Sequence, residues 1–257
     1  MSSAFTGKSV IVTGATSGIG RAAALEFARR GAQVLLVGRS DAALADASAQ
    51  VRHAGGQVAQ CAADITADGS AERIVSAAID AFGGLDVLVN AAGVIASGTI
   101  EATSDETWDA MMNVNVRAPF RLMRAAVPHL KERKGSIVNV SSVNGLRAFA
   151  GVLAYNVSKS AMDHLTRCAA LEMAPFGVRV NCVNPGVTIT NLHRRGGMDD
   201  SQYAAFLQRS KETHPLGRPG QPEEVAATIV FLASEDAAWM TGETIPVDGG
   251  RHLTCLR

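Results

Sequence analysis

No stretch of this 257-residue chain approaches the roughly 20 consecutive apolar residues that a helix needs to span a bilayer. The apolar run inside MSSAFTGKSVIVTG is only three residues long and stops at a glycine loop, and the ending RHLTCLR carries no standard C-terminal targeting signal. A soluble, cytoplasmic protein without membrane partners is the expectation. Net charge is also missing: Lys plus Arg and Asp plus Glu both number 24, and no basic block of five residues occurs. Nothing therefore draws the chain to nucleic acid or an anionic membrane surface, and a small neutral or locally guided partner is expected. Cys61, Cys168, Cys182 and Cys255 have no C-x-x-C spacing and read as reduced structural thiols. The six histidines, at 53, 129, 164, 193, 214 and 252, lack H-x-x-x-H spacing or cysteine neighbours, so no metal site is expected. Linkers, low-complexity tracts and internal repeats are absent as well. With 47% hydrophobic and 19% charged residues, residues 1–257 are read as a single dinucleotide-binding domain with an ample core.

What is present is an alternation. KSVIVTG, GRAAALEFARR, AQVLLVG, the stretch 41–54 and QVAQCAAD give a βαβαβ pattern, the signature of a parallel sheet with helices on both faces. It continues with a helix over 70–82, strand LDVLVNAAG, a long helical region over 105–133, strand GSIVNVSS, a helix over 153–174 and strand VRVNCVNPG. A late strand near 244–247 makes seven. The fold class is α/β, a Rossmann-like doubly wound parallel sheet. Residues 187–216 break the rhythm: Gly196, Gly197, clustered charges and the amphipathic SQYAAFLQRS place a substrate lid there. Trp108 reads as helix packing, and Met111 and Met112 as fillers of core gaps.

TGATSGIG, at 13–20, follows the first strand and opens the first helix. Gly14, Gly18 and Gly20 fall where backbone must turn tightly, and the free amides of Thr16, Ser17 and Ile19 are placed to receive a pyrophosphate. The residue closing the second strand selects the cofactor, because an acid there holds a ribose 2′-hydroxyl whereas an arginine accommodates a 2′-phosphate. Here the stretch is VLLVGRS. Gly38 removes the carboxylate, Arg39 supplies a guanidinium, and Ser40 and Ser17 add hydroxyls, so NADP(H) is favoured with NAD(H) as second choice. Asp64, with Ile65 beside it, follows the third strand, either at an adenine edge or as a helix cap.

Tyr155 and Lys159 in YNVSK stand i and i+4 on one helix face. A phenol titrates near 10; an ammonium beside it and an oxidised nicotinamide would favour phenolate, and a shift of about three units needs roughly 4 kcal/mol. Ser142 ends SIVNVSS where its hydroxyl is able to hold a substrate oxygen without acting as a nucleophile.

Together with Asp64, NAAG at 90–93, Asn115 in NVNVRAPF, the PG of NPGVTIT and TGETIPVDGG, these motifs make the chain resemble the short-chain dehydrogenase/reductase family over essentially its whole length. The resemblance implies an oxidoreductase acting on a ketone or aldehyde, or on the corresponding alcohol, as a small-molecule substrate. Tyr155 would be the general acid in reduction and the base in oxidation, and Lys159 would hold the ribose and lower the Tyr155 pKa. Ser142 would orient the substrate oxygen, and Asn115 would hold a water that links Lys159 to solvent. Asn90, Ala91 and Gly93 would line the cofactor, Asn90 alternatively bracing backbone only. Pro185, Gly186, Thr188 and Thr190 would contact the nicotinamide side, Thr190 alternatively capping the lid. A homotetramer or homodimer is the implied assembly.

Asn144, Leu146, Leu153, Val187 and the lid over 192–206 are expected to touch substrate. The 3-oxoacyl-[acyl-carrier-protein] reductase branch is the enzyme alternative. Its members usually place a basic residue where Phe176 stands before Gly177, although Lys131, Arg133 and Lys134 still form a basic patch. A non-catalytic NADP(H)-sensing scaffold is the alternative of another class, and it predicts cofactor binding without turnover.

Overall fold

The short β-branched runs become strands, and those in the middle of the sheet are buried on both faces, as a parallel sheet requires. The computed structural model describes residues 4–254. Its strands are β1 (Ser9–Thr13), β2 (Gln33–Gly38), β3 (Gln57–Ala62), β4 (Val87–Asn90), β5 (Ser136–Val140), β6 (Arg179–Pro185) and β7 (Thr244–Val247). All pair in parallel in the order 3-2-1-4-5-6-7. Edge strand β3 carries Gln57 and Gln60 and is largely accessible, which suits a position with one unpaired side.

Alternation along β1 divides the core. Val10 and Val12 face α1 (Gly18–Arg29), α2 (Asp41–His53) and, late in the chain, a helix over Pro222–Ala233, with Phe27, Leu44 and Ile229 packed beneath them. Ile11 faces α3 (Ser70–Phe82), α5 (Ala118–Arg133) and α7 (Leu153–Met173), where Ile74, Leu122, Leu130 and Ala170 pack. Phe27 meets Phe5 edge to face at 5.0 Å, and truncating so buried a ring would cost about 3–5 kcal/mol.

The helical region over 105–133 is uninterrupted, as expected, but not uniformly α. It consists of α4 (Asp105–Met112), a π-helical turn at Asn113–Arg117, and α5. The wide turn rotates Asn115 inward, where its Oδ1 accepts from the Val94 amide and its Nδ2 donates to the Val94 carbonyl, both at 3.0 Å.

The short helix α6 (Val143–Leu146) leads into α7. Between β6 and the Pro222–Ala233 helix, here α10, lie α8 (Leu192–Arg195) and α9 (Asp200–Thr213). A capping box between Asp199 and Gln202 starts α9. Tyr203 OH donates to the Thr190 carbonyl at 2.9 Å, and His214 Nε2 accepts from the Val187 amide at 3.1 Å, so the 187–216 segment is tied at both ends.

Cys61 and Cys182 are buried, as structural thiols should be, but Cys168 lies exposed on α7. Cys255 lies outside the described residues. Among the described residues no His, Cys, Asp and Glu group is arranged to hold a metal, and no helix is long and apolar enough to cross a membrane.

Candidate active site

Strand order reverses between β1 and β4, and a cleft of about 1390 Å³ opens beyond the carboxyl ends of the strands there. Its floor is the glycine loop. Gly14 and Gly18 adopt left-handed backbone with φ of 65° and 53°. A Cβ on Gly14 would meet Ala92 Cα at 2.9 Å, and one on Gly20 would meet the Gly14 carbonyl oxygen at 2.5 Å. Ser17 caps α1 without a side-chain hydrogen bond, so no side-chain acceptor occupies the first amides of that helix. Thr16, Ser17, Gly18 and Ile19 line the cleft. Such a concavity, closed to side chains and faced by helix-start amides, fits a pyrophosphate.

At the outer end Gly38, Arg39 and Ser40 meet Asp64 and Ile65 across the cleft. A Cβ on Gly38 would stand 2.7 Å from Thr16 Cγ2, which explains the glycine without reference to charge. Ser40 Oγ accepts from the Ala43 amide as the cap of α2, leaving its O–H proton for another acceptor. Asp64 accepts from the Thr66 amide and hydroxyl at 2.9 and 2.7 Å; these bonds first, and the Arg39 charge last, hold its carboxyl below the usual range. Asp64 thus closes a local turn rather than capping a helix, whose cap is Gly69, and it also lines the cleft.

The inner end gathers Ser142, Tyr155 and Lys159. The Tyr155 ring is buried with Met111 and Ala154 and flanked by Trp108, which confirms that Trp108 packs. Burial pushes the Tyr155 phenol up to about 12, against a smaller downward pull from the Ser142 hydroxyl. Ser142 Oγ accepts from the Asn144 amide and donates to Asn144 Oδ1 at 3.0 Å. Burial lowers Lys159 to about 8, opposed by the nearby Cys182 and Asp163. Its Nζ donates to the Val140 carbonyl at 2.9 Å.

Asn115 and Asn90 lie behind the cleft wall rather than on it. Asn115 Nδ2 reaches Ser158 Oγ at 3.0 Å, and Ser158 donates to the Tyr155 carbonyl, so Asn115 joins the β4 loop to the helix bearing Tyr155. A Cβ on Gly93 would lie 3.4 Å from Asn115 Oδ1 and 3.6 Å from Lys159 Nζ, so both polar groups border the same spot. Asn90 Nδ2 donates to Asn139 Oδ1 at 2.9 Å, and Asn139 donates to Thr166, which makes Asn90 a brace between strands and α7. Ala91 and Gly93 do face the cleft, as do Pro185, Gly186, Thr188 and Thr190. Thr190 also accepts from the Leu192 amide at 3.3 Å, capping the lid while its methyl stands against Gly18.

Of the expected substrate contacts, Asn144, Val187, Leu192 and Phe206 line the cleft. Leu146 and Leu153 do not; Leu146 is exposed at the end of the one-turn α6, where periodicity could not assign a face. Arg147, Phe149, Arg195, Arg209 and Arg251 line it instead.

A glycine-cradled crevice at the switch point of a parallel sheet defines a dinucleotide-binding α/β protein, and the polar triad at its inner end is a place for proton transfer. Residues 14–252 match the family model described as enoyl-(acyl carrier protein) reductase. An uncharacterized oxidoreductase of Thermotoga maritima is 40% identical over 96% of this chain and 98% of its own length. The 3-oxoacyl-[acyl-carrier-protein] reductase FabG of the same organism is 37% identical over 95% and 97%. A short-chain dehydrogenase/reductase of Caenorhabditis elegans, solved with cofactor, superposes with a TM-score of 0.92 at 35% identity, covering 97% of each chain. The chain belongs to the short-chain dehydrogenase/reductase family and is an oxidoreductase of that family.

Proposed function

We propose that this enzyme reduces a ketone or aldehyde to an alcohol, reversibly, with NADP(H) as the preferred cofactor. The observation that carries the reading is the meeting of Tyr155, Ser142 and Lys159 at the inner end of a cleft whose outer end presents Arg39. When bound, the nicotinamide cofactor supplies or accepts the hydride. The glycine-loop amides would hold its pyrophosphate, and Arg39 with the Ser40 hydroxyl would hold a 2′-phosphate by charge-assisted hydrogen bonds.

The rest is proton chemistry by this chain. The Ser142 hydroxyl orients the substrate oxygen, and Tyr155 OH donates its proton to that oxygen in reduction or takes it back in oxidation. A phenol pushed up to about 12 is protonated at neutral pH, the state that reduction requires. Lys159, released from Val140, would turn to the ribose and favour the phenolate that reduction leaves behind. Asn115 positions the helix carrying both, and the spot beside Gly93 is where we place the water that connects Lys159 to solvent.

NADPH oxidation against ketones, aldehydes, quinones, sugars and acetoacetyl thioesters, repeated with NADH, tests this reading. Turnover of at least one carbonyl with NADPH preferred is expected; no turnover of any, or equal rates with NADH, would refute the respective half.

Similarity to FabG favours a second reading, reduction of a 3-oxoacyl group on a carrier protein. Lys131 Nζ sits 3.5 Å above the Phe176 ring, so the usual place of a basic residue here holds an aromatic with a cation over it. A strong rate advantage for acetoacetyl-carrier protein over a simple thioester would favour that reading.

A cytoplasmic homotetramer is the proposed assembly and place. Phe120 on α5, Val157 and Leu171 on α7, and Leu253 after β7 expose large apolar surface on the elements such an assembly would cover. Sedimentation velocity tests it.

A further inference from the structure

Ser142 and Tyr155 have to address one substrate oxygen, yet they come from different elements: Ser142 is the N-cap of α6, and Tyr155 lies in the first turn of α7. A chain of side-chain amides joins the two. Ser142 Oγ accepts from the Asn144 backbone N–H at 3.2 Å and donates to Asn144 Oδ1 at 3.0 Å. Asn144 Nδ2 donates to Asn156 Oδ1 at 2.7 Å. Asn156 directly follows Tyr155, so the chain that begins at the serine hydroxyl ends on the tyrosine's own helix.

Backbone fixes the direction of this chain. Phe149 gives its N–H to Asn156 Oδ1 at 3.4 Å and receives Asn156 Nδ2 on its carbonyl at 2.7 Å, and neither backbone group can exchange roles. Asn156 therefore presents oxygen to Asn144, Asn144 answers with Nδ2, and its Oδ1 is left facing Ser142. Capping of the one-turn α6 would account for the bond from the Asn144 amide. It requires neither Oδ1 nor a second asparagine to aim it. The Ser142 backbone is secured separately, because its carbonyl accepts from Asn184 Nδ2 at 2.9 Å and Asn184 also donates to Asp163 on α7. What Asn144 governs is the hydroxyl.

Asn144 lines the cleft beside Ser142, and Asn156 does not. We propose that Asn144 is a positioning residue for proton transfer: aimed by Asn156, it holds the Ser142 hydroxyl in register with Tyr155 and takes its hydrogen bond when no substrate oxygen is there. The inference rests on the carbonyl-reductase reading and deepens it. No covalent bond changes in this step. When a carbonyl enters, the Ser142 proton turns from Asn144 Oδ1 to the substrate oxygen, and the Asn144 N–H keeps Oγ in place. Exchanging one carbonyl acceptor for another costs little, whereas a hydroxyl without Asn144 would have to be ordered at each turnover.

Asn144→Leu, which keeps the branching and removes both polar atoms, should lower kcat for a competent ketone about tenfold while the KM for NADPH stays within about twofold. Introduced into the Ser142→Ala enzyme, the same substitution should lower the residual kcat by less than about twofold, because no hydroxyl is left to position. Phenolate absorbance of the NADP⁺ complexes, taken against the matching Tyr155→Phe proteins, gives a readout without turnover. Asn144→Leu should raise the Tyr155 midpoint by about half a unit when Ser142 is present and leave it unmoved in the Ser142→Ala enzyme. Should Asn144→Leu fail to fold, Asn156→Ala, which removes only the group that aims Asn144, goes through the same cycle with a loss of about threefold expected. Equal losses with and without Ser142, or a midpoint moved equally or not at all in both, would make Asn144 a structural residue and overturn the proposal. A wild-type enzyme that reduces no carbonyl, with the midpoint shift still confined to proteins containing Ser142, would overturn the reductase and keep the hold of Asn144 on the hydroxyl.

Discussion

Lys159 Nζ stands 5.6 Å from the centroid of the Tyr155 ring and does not lower the phenol in the ligand-free protein. Burial dominates there and pushes Tyr155 up to about 12. On the proposed mechanism, the charge that lowers the phenol toward neutrality arrives with the oxidised cofactor and a repositioned Lys159.

Phenolate absorbance, taken as the difference between wild type and Tyr155→Phe, should therefore show a titration well above pH 10 in the free enzyme. Saturating NADP⁺ should move it down by at least one unit, about 1.4 kcal/mol. A midpoint below 9 without cofactor would contradict this.

Lys159 carries the opposite linkage. Its folded pKa of about 8 lies below the ordinary lysine value of 10.5, so the folded state binds fewer protons between those values. The burial penalty is full below about pH 8 and relieved as pH rises toward 10.5. Lys159→Met should abolish turnover yet gain stability at pH 6.5 relative to pH 10.5, by a difference on the order of 1–3 kcal/mol in denaturant unfolding. A variant equally or less favoured at pH 6.5 would show that the ammonium is not buried at a cost.

Arg39→Ala should raise the KM for NADPH by about 10- to 100-fold and leave that for NADH nearly unchanged, as expected for one charge-assisted contact of about 1.5–3 kcal/mol. Gly38→Asp alone should unfold early, because its Cβ would press on Thr16 Cγ2 at 2.7 Å. Thr16→Ser removes that methyl, so the double variant should regain stability and prefer NADH. Steady-state kinetics and thermal melts check both expectations.

Asn90→Ala should lower stability by about 1–3 kcal/mol, because Asn139 loses its donor within a buried chain of side-chain bonds. NADPH affinity, read by fluorescence titration, should change less than about twofold if Asn90 braces the sheet without touching cofactor.

The sheet, its glycine loop and the YNVSK pair were legible because each is local: a strand, a turn and one helix face announce themselves within ten residues. The π-turn at Asn113–Arg117 was not, since it is imposed by Asn115 binding the Val94 backbone 21 residues away. Asn90 could not be assigned for the same reason, its partner being Asn139 on the neighbouring strand. The arginines of the cleft were not legible either: Arg147, Arg195, Arg209 and Arg251 come from separate segments and line one cleft only through topology. Leu146 was expected at the cleft and is not there, because a one-turn helix has too few residues to reveal its face; Leu153, the first residue of α7, is not there either, its amide being bound to the distant Gly98 carbonyl.

Tyr155→Phe, assayed for turnover with a competent carbonyl and for NADPH binding by fluorescence, tests the central claim most directly. Loss of turnover by about a thousandfold or more with cofactor affinity within a few-fold of wild type is the predicted result. Turnover retained within tenfold would remove Tyr155 from proton transfer and contradict the account.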